Sequence, residues 1–113
     1  MGQADWVHLV DIPDSYAGTY RHPQPDCASY YAKQVGDAIA RLQANGGNLA
    51  GFIAETFPSV GGQVIPPDGY LAQVYRSVRA AGGVCIADEV QTGLGRLGDY
   101  YFCLLYTSPS PRD

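Results

Sequence analysis

Lysine is nearly missing: Lys33 is the only one among 113 residues. The phosphate-cradling motif G-x-x-x-x-G-K-[ST] is therefore absent, because Lys33 follows no glycine loop. Cysteine is scarce as well. Cys27, Cys85 and Cys103 are odd in number and far apart, which argues against a disulfide framework or a zinc site. The formal net charge of -4 leaves no basic footprint for nucleic acid or for an anionic membrane. No apolar run approaches bilayer length. The first residues lack the basic-then-apolar pattern of a secretory leader, and Gly2 lacks the downstream Ser or Thr of a myristoylation signal. A reducing, cytoplasmic compartment is the expectation. Repeats and low-complexity linkers are missing too. What remains, 46% hydrophobic and 16% charged, is the composition of one ordinary globular domain.

What is present centres on Val84-Cys85-Ile86-Ala87-Asp88-Glu89-Val90-Gln91. Four apolar residues without alternation predict a strand buried on both faces, as in a parallel sheet between helices. In open α/β sheets ligands lie just beyond the carboxyl ends of the strands. Asp88 is the first polar residue such a strand delivers there. An ionised carboxylate at that depth needs a cationic or hydrogen-bonding partner, since leaving it unpaired costs roughly 3–5 kcal/mol.

Upstream, Trp6-Val7-His8-Leu9-Val10 is aromatic and β-branched and predicts a first short strand, with His8 as a half-buried strand residue rather than a catalytic base. Residues 13–25 read as a long loop. Tyr20 and Arg21 are candidates to line a pocket, against the plainer reading of ordinary loop residues. Asp26 is the expected N-cap of a helix whose apolar positions Tyr31, Val35, Ala38, Ile39 and Leu42 form one stripe against the sheet. Asn45-Gly46-Gly47 ends it and Lys33 lies on its solvated side. Leu49 to Ala54 is a second apolar run, and it too ends in an acid, Glu55. Gly61-Gly62 in the following loop permit close backbone approach. Pro66-Pro67-Asp68 open a second helix with the stripe Leu71, Val74, Tyr75 and Val78, leaving Arg76 and Arg79 toward solvent. The predicted order is β-α-β-α-β with parallel strands.

Three readings compete for the acidic strand end. Gly93-Leu94-Gly95-Arg96-Leu97-Gly98 matches G-x-G-x-x-G, but no helix pattern opens there to receive a pyrophosphate. Asp88-Glu89 could be the magnesium-holding strand end of an ATPase, although the companion lysine loop is absent. The third reading makes Asp88 the partner of a protonated pyridine ring in a dry site. By strand periodicity Val90 then lies on the same side as Asp88, and Gln91 offers an amide to a ring oxygen. A non-catalytic α/β binding module is the competing class.

Phe52-Ile53-Ala54-Glu55, Gly61-Gly62-Gln63-Val64-Ile65-Pro66-Pro67, Gly69-Tyr70, and Gly82 through Gly93 followed by Gly95-Arg96 closely resemble the class III, pyridoxal phosphate-dependent aminotransferases. The resemblance spans about Trp6 to Phe102. The stretch from Ser59 to Pro67 looks most like the branch holding ethanolamine-phosphate phospho-lyase and alanine–glyoxylate aminotransferase-like proteins. It implies a piece of the large domain of a fold-type I enzyme, with pyridoxal 5'-phosphate as cofactor and small-molecule amino donors and acceptors. Asp88 would pair with the pyridinium nitrogen, Val90 pack on the ring face and Gln91 bond the ring oxygen. Glu55 would stand beside cofactor and substrate. Glu89 and Arg96 are expected to be structural. The parent protein is expected to be a homodimer.

The departures matter equally. The family's Schiff-base lysine lies well downstream of the Asp-Glu-Val-Gln block, and no lysine follows it here. The glycine-rich cup for the cofactor phosphate is absent upstream as well. Residues 1–102 are thus expected to be part of a larger catalytic domain, inactive alone. Cys103 to Asp113 resembles translated sequencing adapter and is expected to be a non-native tail.

Overall fold

A computed structural model describes residues 4–21, 26–58 and 64–91. Within them the order is α1 (Cys27–Ala44), β1 (Gly51–Glu55), α2 (Tyr70–Ala80) and β2 (Val84–Asp88). The two strands are parallel and in register from Gly51↔Val84 to Glu55↔Asp88. Such a pair needs a crossover, which α2 supplies. The chain is α/β, as its residues predict.

The predicted strand at Trp6–Val10 does not form. Trp6 and Leu9 stay 81% and 76% exposed, and His8 is exposed rather than half-buried. Aromatic and β-branched composition suits a pleated surface, but a strand also needs a neighbour to complete its hydrogen bonds. This segment is pinned instead to α1. The Asp11 N–H donates to Gln34 Oε1 (3.2 Å) and Gln34 Nε2 donates to Asp11 Oδ2 (3.1 Å).

The stripe on α1 is buried as predicted at Tyr31, Val35, Ala38 and Ile39, with Leu42 partly covered. Its main partner is α2, however, not the sheet. Both helices feed one core around Tyr31, Val35, Ile39, Tyr70, Val74 and Val78, and α2 is the element that also meets the sheet. There the Phe52 and Tyr75 rings meet edge-on at 6.4 Å. Val74 and Val78 are wholly buried, each worth about 1.5–3 kcal/mol relative to exposure. Arg79 stays in solvent with its guanidinium 5.6 Å from the Tyr75 ring centre, a cation–π contact.

Asp26 does not cap α1 with its side chain. Its backbone is left-handed (φ 62°), and only its carbonyl engages the helix, accepting the Tyr30 N–H at 3.1 Å. α2 starts at Tyr70, later than the prolines suggest. The Pro67 carbonyl accepts the Tyr70 N–H in a turn through Gly69 (φ 85°), a conformation a helix cannot run back through.

The two helices end alike. After α1, Gly46 N–H donates to Gln43 O and Gly47 N–H to Leu42 O. After α2, Gly82 N–H donates to Arg79 O and Gly83 N–H to Val78 O. This is the Schellman pattern, with the left-handed position taken by Gly46 (φ 81°) and Gly82 (φ 86°). The second glycine pair leads directly into β2, and three residues separate the first from β1. A Cβ at residue 82 would meet nothing within 4 Å, so only backbone strain opposes it. Gly82→Ala should lower stability by about 1–2 kcal/mol in chemical denaturation; an unchanged midpoint would show that the turn adapts.

The loop ahead of α1 is built on one phenol. Tyr31 is 1% exposed; its hydroxyl donates to the Asp14 carbonyl (2.7 Å) and accepts the Tyr20 N–H (3.0 Å). Tyr20 stacks on Tyr30 and meets Tyr31 edge-on. The Asp14 carboxylate accepts the Ala17 and Tyr16 N–H groups, and those bonds hold it below the usual carboxylate range. Arg21 Nε donates to the Gly18 carbonyl. Tyr20 and Arg21 are thus builders of this loop.

Candidate functional site

Strand alternation decides which residues share a face. Phe52 and Cys85, register partners, pack toward the helical core. Ile53, Val84 and Ile86 lie on the opposite face and are 66%, 60% and 47% exposed. Glu55 and Asp88 are two residues beyond Ile53 and Ile86 and so fall on that same outer face. They are also register partners. Parallel neighbours stand ~4.8 Å apart, so the fold sets two carboxylates side by side at the carboxyl edge of the sheet.

Both acids are half-buried. The described residues therefore do not enclose Asp88 in the dry niche expected of it. Asp88 Oδ1 accepts the Val90 N–H at 3.1 Å, which folds the chain back just after β2. That turn corrects one expectation: β2 ends at Asp88, so strand alternation does not reach Val90. Val90 is 75% exposed and Gln91 is exposed beside it, both at the same sheet edge as the acids. Burial is the chief cause that pushes the Tyr75 phenol and the Cys85 thiol upward, and it takes Tyr70 up to about 12. The charge of Glu89 adds a little to the upward shift of the Tyr75 phenol. Lys33 is exposed on α1, as its position in the stripe predicts.

Among the described residues no group of three or more His, Cys, Asp or Glu side chains could hold a metal ion. Two neighbouring carboxylates favour a cation against them, and Asp88, Val90 and Gln91, the residues that the resemblance assigns to the cofactor ring, lie within one turn of each other at that edge. The residues present fit pyridoxal phosphate to that extent. Gly61, Gly62, Arg96 and the Gly93-to-Gly98 motif lie outside the described residues.

The sequence reading missed Thr56. It follows Glu55 directly, is 2% exposed, and its hydroxyl has no hydrogen-bond partner among the described residues. A lone residue past a strand end carries no periodic signal by which to find it. A separate groove of about 200 Å³, lined by Leu9, Val10, Asp11, Gln34, Asp37 and Arg41, contains none of the expected site residues. Asp11 and Gln34 there are occupied in holding the first segment to α1.

The profile described as "Aminotransferase class-III" matches residues 4–111. Over 101 residues the chain is 46% identical to "Alanine--glyoxylate aminotransferase 2-like" of Drosophila melanogaster, covering 87% of this chain and 20% of the relative. It is 46% identical over 81 residues to "Alanine--glyoxylate aminotransferase 2, mitochondrial" of Homo sapiens, covering 69% and 15% respectively. Among solved structures, a phospholyase from Arthrobacter in complex with phosphoethanolamine superposes with a TM-score of 0.81 at 34% identity, covering 95% of this chain and 25% of that one. The chain thus spans about a fifth of the length of the curated relatives it matches.

Proposed function

The chain belongs to the class-III aminotransferase family, whose enzymes depend on pyridoxal phosphate, and from that premise we propose that it supplies the ring-facing sheet edge of such an enzyme. The activity proposed for the whole protein is amino-group transfer, or elimination of phosphate from an amino-phosphate. Names of relatives and of a structural neighbour support both branches. The observation that carries the proposal is the register pairing of Glu55 with Asp88 at the carboxyl ends of two parallel strands.

When bound, the cofactor supplies an electron sink for a carbanion at the substrate carbon. The chain's own residues would serve that chemistry as follows. Asp88 holds a proton on the ring nitrogen by staying negative beside it. Its bond from the Val90 N–H fixes the carboxylate's orientation. Val90 offers a branched face to the ring and Gln91 an amide donor to the ring oxygen. Glu55, next to Asp88, faces the substrate's amino end. No lysine follows the acids in this chain, so the covalent anchor lies outside it. The proposed division keeps residues 1–102 as part of the large domain and 103–113 as a non-native tail; independently amplified genomic DNA carrying the same codons past residue 102 would remove that division.

The expected result is that the 113-residue chain turns over no amino donor, whereas the full-length enzyme binds pyridoxal phosphate with a visible absorbance change and transfers or eliminates. Turnover by the short chain would overturn the reading. We extend the proposal to a homodimer, supported by the exposed Trp6, Leu9 and Tyr16 side chains, which a partner surface would cover. Sedimentation of the full-length protein tests it. No helix among the described residues is long and apolar enough to cross a membrane. For the compartment the proposal is the cytoplasm; a relative named as mitochondrial makes imaging of the tagged full-length protein the deciding measurement.

A further inference from the structure

We propose that Tyr75 is a positioning residue for the acid pair: from α2 it braces both acid-bearing strands at one level and so sets where Glu55 and Asp88 stand. The inference rests on the functional reading above and adds a residue to it. Phe52 and Cys85 are register partners, each three residues before the acid of its strand. Both meet Tyr75. The Phe52 ring meets the Tyr75 ring edge-on, with centroids 6.4 Å apart. The Cys85 thiol points a weak donor at the Tyr75 carbonyl, with Sγ 3.9 Å from the oxygen. One residue thus ties β1 through its ring and β2 through its backbone. Tyr75 is itself buried in the core that the two helices share, which holds the brace from behind.

The level of the brace matters because the acids sit close above it. Three residues of strand span about 10 Å, and the same ladder that pairs Phe52 with Cys85 pairs Glu55 with Asp88. That ladder fixes the strands against each other, not against the rest of the enzyme. The second task falls to the helix behind them, and α2 is the helix that meets the sheet. A hollow at residue 75 lets the Phe52 ring sink into it, and the paired strands tilt together with the two carboxylates at their tips. Interiors are packed closely enough that such a loss is felt. An error of about 1 Å in a reacting group can cost about 10²-fold in rate, even when its source lies away from the chemistry. The phenol oxygen takes part in neither contact, so phenylalanine keeps both.

The test uses the full-length enzyme with Tyr75→Leu, Tyr75→Phe and, as a control, Val35→Ala, which opens the α1 side of the same core. The expected result is that Tyr75→Leu lowers kcat roughly tenfold or more and that Tyr75→Phe restores it. Val35→Ala should melt lower than wild type yet keep its kcat. In an Asp88→Asn background Tyr75→Leu should cost less than it does alone, because residues that act through one another are not additive. A second readout needs no cofactor. In the cofactor-free Tyr75→Leu enzyme, amide hydrogen exchange should quicken more in residues 51–55 and 84–88 than in α1. If Tyr75→Leu does not fold, Cys85→Ala takes its place: it removes only the tie to β2 and should quicken exchange in residues 84–88. An equal loss of kcat in Val35→Ala, full additivity with Asp88→Asn, exchange that quickens evenly across helix and strands, or unchanged exchange in Cys85→Ala would overturn the proposal. Failure of the wild-type enzyme to bind pyridoxal phosphate would instead overturn the functional reading, while the exchange experiment still decides the brace.

Discussion

Replacing Asp88 by alanine should silence the full-length enzyme, with a loss on the order of 10²–10³-fold or more in kcat, while Asp88→Glu keeps a trace. The side chain has two jobs that variants can separate. Its charge faces the ring nitrogen in the proposed complex, and its Oδ1 accepts the Val90 N–H that shapes the turn after β2. Asp88→Asn keeps an acceptor oxygen for that turn and discards only the charge. If charge is the essential property, Asn should be nearly as inactive as Ala while melting like wild type. Glu keeps the charge but carries it one methylene further, off the geometry the strand end sets, and geometric errors of this size cost orders of magnitude. Full activity of Asp88→Ala would remove the assigned role. Loss in Ala with retention in Asn would reassign Asp88 to holding the turn.

The largest effect on stability is expected at Tyr31. Tyr31→Ala should cost about 3–5 kcal/mol, as removal of large buried aromatics does, and Tyr31→Phe about 1–3 kcal/mol from the two hydrogen bonds alone. The ring lies in the core shared by α1 and α2, and the hydroxyl ties the loop to α1 through Asp14 and Tyr20. Without the hydroxyl the Tyr20 N–H and Asp14 carbonyl both lose a partner. Gly18 is part of the same knot, since a Cβ there would collide with the Tyr31 hydroxyl and the Asp14 carbonyl. Urea titrations of both variants measure the difference. Equal midpoints for Phe and wild type would mean that water replaces the hydroxyl without loss.

Much of this architecture could be read before any coordinates. The two apolar runs ending in Glu55 and Asp88 form strands as their unbroken apolar character predicts, but the expected burial on both faces is not met among the described residues: Ile53, Val84 and Ile86 are exposed. The glycine pairs at 46–47 and 82–83 mark helix ends through a backbone requirement that only glycine meets freely. These signals are local, and local signals survive folding. The Trp6–Val10 segment failed because a strand is a property of two segments, and its composition names no partner. Burying α1 against α2 rather than the sheet was hidden for a similar reason: a stripe shows which side is covered, not by what. Within the site, Asp88 and Glu55 were visible as acids at strand ends, and the family resemblance gave them roles. Their lateral pairing needed the register. Thr56 needed the burial of one oxygen, which no pattern of residue types encodes.

The in-register acids have a mechanical consequence. Like charges directly opposite each other on neighbouring strands disfavour the pairing, so a register that sets Glu55 against Asp88 would be eased by positive charge at that edge. A cation seated over the pair would act as a clasp. In a protein built on this sheet, the cofactor would then be structural mortar as well as chemical reagent, and stripping it should loosen the two strand tips before anything deeper gives way.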